Sequence, residues 1–137
     1  MNKLDQILQE IVNLSYDEIR MRAVELANNC KDGFDALKIE NISGIAFVEK
    51  FLAATVAVNG EYSQREQMLI SELFKKPDRI ETIADQITKR DIKNFDKLVD
   101  SLPEDLKSDC CLLASYVLAV DEHIDTSEYE YLVTLLQ

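Results

Sequence analysis

Ala57-Val58-Asn59-Gly60-Glu61-Tyr62-Ser63-Gln64-Arg65-Glu66 is the stretch that decides the fold, because it has a partner. At a constant offset stands Ala119-Val120-Asp121-Glu122-His123-Ile124-Asp125-Thr126-Ser127-Glu128. Each copy closes an apolar run with a polar turn. One apolar residue follows, then Ser or Asp with Glu three places on. A helix end needs its last carbonyls satisfied and the next helix needs acceptors for its first amides. Gly60 suits the first task, and Ser63 with Glu66 forms a capping box for the second. Asp125 with Glu128 repeats that box. The pattern predicts a duplicated helical hairpin, with repeats at about 45–75 and 106–137.

Working outward, the same logic yields helices along the whole chain. Leu4, Ile7, Leu8, Ile11, Val12 and Leu14 have helical spacing. Ser15 and Glu18 read as a capping box opening a second helix through Ile19, Ala23, Leu26 and Ala27. Asp32-Gly33 reads as its end, and 34–42 as a connection. Ser43-Gly44 opens a helix from about Ile45 to Val58 that is apolar on most sides, the mark of a central helix. Ser63 caps a helix to about Phe74, and Pro77 forces a break. Asp78 to Ile87 reads as a short amphipathic helix. Thr88 starts another, with Ile92, Phe95, Leu98 and Val99 on one side. Ser101-Leu102-Pro103-Glu104 starts the second nearly all-apolar helix, which runs to Val120. Asp125 caps the last one.

The expectation is an all-α single domain over 1–137, a bundle of seven to eight helices with a pseudo-twofold repeat of helical hairpins. The 137 residues, 47% of them hydrophobic, suffice for one core, and 3 Gly with 2 Pro suit helices.

The net charge of −11 argues against nucleic acid, whose binding rests on Lys and Arg neutralising phosphates. Lys89, Arg90, Lys93 and Lys97 alternate with Asp91 and Asp96 and read as a solvated helix face. The N-terminal sequence lacks the pattern of a secretory leader, and no window reaches the roughly 20 apolar residues of a membrane span, so a cytoplasmic location is expected. Cys30, Cys110 and Cys111 have no metal-ligand spacing and read as buried small hydrophobes. The alternative is a redox or soft-metal site.

The turns admit two readings. In one, every polar residue caps a helix. In the other, Asp121, Asp125 and Glu128 gather oxygen ligands for a hard divalent cation. Asp121 lies beside outgoing helix carbonyls, where its charge is disfavoured without a cation or an amide partner. An EF-hand is excluded, since the required Gly and terminal Glu are missing. No Gly-rich phosphate loop, Ser-His-Asp set or Cys-His pair is recognisable, and His123, the single histidine, leaves no di-metal Glu-x-x-His pairing; a catalytic site would need carboxylates alone, and no enzyme is expected. No cofactor beyond such a cation is indicated.

The Ala-Val-Asn-Gly-x-apolar-Ser-x-x-Glu pattern and its Ala-Val-Asp partner resemble the tellurite-resistance protein TerB family. That signature occurs twice per domain in an all-helical, pseudo-twofold fold. The resemblance covers most of 15–137. It implies a cytoplasmic, non-enzymatic interaction module in a stress-response setting, with a protein partner that can be membrane-associated. It also implies a divalent cation held by Asn59 and Glu66 in the first copy and by Asp121 and Glu128 in the second. Asn59 stands where the family has Asp, which removes a charge. Glu122 stands where it has Gly, which adds one, so a cation is expected at Asp121 before Asn59. The alternative function is a plain protein-binding adaptor without metal, its motif residues serving only as caps.

Overall fold

The computed structural model describes residues 3–38, 43–57, 64–74, 93, 97–120 and 129–133. Among them every regular element is helical and none is a strand. The helices with defined bounds are α1 (Lys3–Val12), α2 (Tyr16–Ala36), α3 (Gly44–Ala57), α4 (Gln64–Leu73) and α5 (Glu104–Ala119). Residues 97–100 and 129–133 are also helical. No described helix is long and apolar enough to cross a membrane.

The expected box at the start of α2 is present. Ser15 adopts extended backbone, its Oγ accepts from the Glu18 amide at 3.2 Å, and the Glu18 carboxylate accepts from the Ser15 amide at 3.4 Å. From there α2 buries Ile19, Ala23, Leu26, Ala27, Cys30 and Phe34, steps of three and four that make one stripe.

The expected stop at Gly33 is a correction. Helix α2 continues to Ala36, with Leu37 as its C-cap. The left-handed residue is Lys38, at φ 54°. Two contacts explain the extension. Phe34 is fully buried and stacks on Phe47 of α3, ring centres 4.1 Å apart and nearly parallel. Gly33 faces α5, where a Cβ would stand 3.0 Å from Leu106 Cδ1. The glycine permits close helix contact rather than ending the helix. Residues 34–36, expected in a connection, therefore belong to α2, while 39–42 lie outside the described residues.

Helix α3 opens as expected. Ser43 Oγ accepts from the Ala46 amide at 3.2 Å. Gly44 packs so closely on α2 that a Cβ would collide with the Lys31 carbonyl oxygen. Helix α5 begins after Pro103, which takes the N-cap position, and the Pro103 carbonyl accepts from the Lys107 amide at 2.9 Å. Lys107 Nζ reaches Asp100 Oδ1 at 2.7 Å, joining α5 to the helical residues before it.

Helix α2 packs most extensively on α5 and next on α3, while α1 and α4 also pack on α5. Three pairs set the direction of the α2–α5 contact: Gly33 with Leu106, Cys30 with Cys110, and Arg22 with Tyr116. Numbers fall on one helix as they rise on the other, so the two are antiparallel. Both α3 and α5 are buried over most of their circumference, as their composition predicts. Buried hydroxyls inside them bond back within their own helix: Thr55 Oγ1 donates to the Phe51 carbonyl and Ser115 Oγ to the Cys111 carbonyl. Such bonds satisfy polar groups that are costly to bury alone. Tyr131 OH lies 3.3 Å from Thr55 Oγ1, and Tyr129 OH donates to Asp5 Oδ1 at 2.9 Å, so the C-terminal helical residues touch both α3 and α1.

Candidate functional site

Of the five ligand residues expected from the sequence, Glu66 is described. Asn59, Asp121, Asp125 and Glu128 lie outside the described residues, as do Glu122 and His123. Glu66 occupies the third position of α4 and is 3% exposed. Burying a carboxylate is costly without opposite charge or hydrogen-bond donors. The position is that of the Glu in a capping box, and also that of the first-copy ligand in the TerB-like pattern. Among the described residues, no three of His, Cys, Asp and Glu gather as a metal ion would require.

Described residues that flank the two motifs meet at one place. A cavity of about 250 Å³ is lined by Ile11, Val12, Leu14, Tyr16 and Ile19 together with Arg65, Ala119 and Val120. Arg65 is the second residue of α4 and belongs to the first motif. Ala119 ends α5 and Val120 is its C-cap, and these two open the second motif. The cavity is smaller than most small-molecule pockets, which start near roughly 300 Å³.

Charge around this region is mixed. Burial, and then the Glu72 carboxylate, push the Tyr16 hydroxyl above its ordinary range, with Arg20 and Arg65 pulling the other way. Tyr16 is therefore a neutral phenol at physiological pH. Away from the cavity, toward the start of α5, burial and then Asp105, one turn earlier, raise the Asp109 carboxyl.

Two features escaped sequence reasoning. Glu49, which merely interrupts an apolar run in the sequence, is 5% exposed on α3. Cys30 and Cys110 meet across the α2–α5 contact, Sγ to Sγ 3.7 Å. No local signal marks that pairing, since 80 positions separate the two residues. The expectation of buried thiols holds for all three cysteines, and none is in a disulfide. Lys93 and Lys97 are exposed, in keeping with a solvated face. Lys89 and Arg90 lie outside the described residues.

Comparison with protein-family models, with curated proteins and with solved structures finds no match to this chain.

Proposed function

We propose that the chain is a non-enzymatic, intracellular interaction module of the TerB-like type, with its two turns together at one end of a duplicated bundle. In this reading a divalent cation is held there by Asp121, Asp125 and Glu128, with Asn59 and Glu66 from the first turn. The observation that carries it is the shared cavity: Arg65 follows one turn, Ala119 and Val120 precede the other, and all three line the same space. Glu66, at the third position of α4 where the resemblance places a ligand, adds support. So does the burial of repeat-equivalent positions, Leu69 and Ile70 in one copy and Tyr131 and Leu132 in the other. The stress-response setting and a protein partner, soluble or membrane-associated, come from the resemblance.

Arg65 at the same cavity favours a second reading. A guanidinium beside the turns supplies positive charge without metal, leaving a protein-binding adaptor whose carboxylates act as caps. Melting curves with millimolar calcium, magnesium, manganese or zinc separate the two. A ligand that binds only the native state stabilises by RT ln(1 + [L]/Kd), about 2.7 kcal/mol at 100 times Kd. The cation reading expects an ion-specific rise in Tm that disappears in Asp121→Asn with Glu128→Gln. No rise in the wild type, or an equal rise in the double variant, sinks it in favour of the adaptor.

A further inference from the structure

Two thiols remote in sequence face one another in the core. Cys30 on α2 and Cys110 on α5 are both fully buried, and the Cys110 thiol donates to Cys30 Sγ across 3.7 Å. The pair lies between the Gly33–Leu106 approach and the Arg22–Tyr116 contact, on the seam of the antiparallel helices. A disulfide needs the sulfurs near 2.05 Å, so the gap to close is about 1.7 Å. Closing it calls for rotation of the two facing side chains and a slight approach of helices that already pack closely at Gly33. Cys111 is the competing thiol. It is the next residue on α5, turned by about 100° around the helix axis. Two successive helical cysteines cannot join without breaking the helix that holds them.

We propose that Cys30 and Cys110 are a latent disulfide pair, closed by a peroxide and reopened by a thiol reductant, that covalently ties α2 to α5. Hydrogen peroxide converts one thiol to a sulfenic acid as the O–O bond breaks and one water leaves. The sulfur of the second thiol then attacks the sulfenic sulfur. The S–S bond forms, and the hydroxyl leaves with the second thiol's proton as another water. Two thiols and one peroxide thus give one disulfide and two waters. The hydrogen bond to Cys30, and then burial, push the Cys110 thiol well above its ordinary range. A thiol held protonated is a poor nucleophile, so closure of the pair is expected under sustained oxidant.

The full chain, wild type and Cys111→Ala, is exposed to graded hydrogen peroxide. Remaining thiols are alkylated in denaturant, and peptides are mapped by mass without reduction. The proposal expects an intramolecular loss of two hydrogens, a Cys30–Cys110 cross-link in both proteins, reversal by dithiothreitol, and no such link in Cys110→Ala. Fragmentation of the wild-type peptide assigns the link should Cys111→Ala fail to fold. A link through Cys111, a link between molecules, higher oxidation without a link, or no reaction under prolonged excess peroxide overturns it.

Discussion

Asp35 Oδ1 accepts a hydrogen bond from the Gly44 amide at 2.6 Å, so the last turn of α2 caps the first turn of α3. The carboxylate meets the positive end of the α3 dipole while Ser43 supplies the local cap. Asp35→Ala is expected to destabilise by about 1–2 kcal/mol, and Asp35→Asn by less, since it keeps an acceptor. Gly44→Ala should cost more than about 2 kcal/mol, because its methyl meets the rigid Lys31 carbonyl rather than a movable side chain. Urea unfolding of the three variants checks the order.

Gly33 is a milder case. Its added methyl meets the tip of Leu106, which can turn. Ala also gains about 1 kcal/mol of helix propensity over Gly. Gly33→Ala should therefore lie within about 1 kcal/mol of the wild type. In a Leu106→Ala background, where the obstacle is gone, the same change should stabilise by about 1 kcal/mol. A double-mutant cycle showing no coupling between the two positions contradicts this account.

Thr55 and Tyr131 test the tie between α3 and the C-terminal helical residues. Their hydroxyls are 3.3 Å apart and buried. Thr55→Val keeps the shape and removes the hydroxyl, at an expected cost of about 1 kcal/mol. Thr55→Ser keeps the hydroxyl and loses a buried methyl, so it should cost a similar amount by a different route. Only Val should shift hydrogen exchange of the 129–133 amides toward faster rates.

The Asp109 carboxyl supplies a pH signature. Its folded pKa is raised, by burial first and Asp105 second, so the fold disfavours its charged form. Ionisation of Asp109 therefore opposes folding at neutral pH, and that penalty fades as pH falls through the raised folded pKa toward the ordinary carboxylate value. Asp109→Asn should be more stable than the wild type at pH 7. The advantage should vanish below about pH 4, where both states of the wild type are protonated. Equal stabilisation at both pH values would point to packing instead.

Local chemistry made much of this fold legible. The Ser15–Glu18 box, the opening at Ser43-Gly44 and the start after Pro103 all depend on residues within four positions of one another. The burial of α3 and α5 follows from how few polar residues they carry. Of the candidate site, Glu66 alone falls among the described residues. Glu66 reads alike as a cap or a ligand, because both uses need a carboxylate at the third position of a helix.

The amino-acid order by itself therefore determined helix, the caps at Ser15 and Ser43, and the apolar faces, since these are settled by propensity, short-range hydrogen bonds and apolar spacing. Tertiary structure alone decided what Gly33 is for. A glycine after Asp32 resembles a helix end until Phe34 is seen stacked on Phe47 and Leu106 is seen filling the space beside it. It also decided that Cys30 meets Cys110, and that Arg65 shares a cavity with Ala119 and Val120. These are contacts between distant residues. They depend on how helices pair and in what direction, which chain neighbours do not encode.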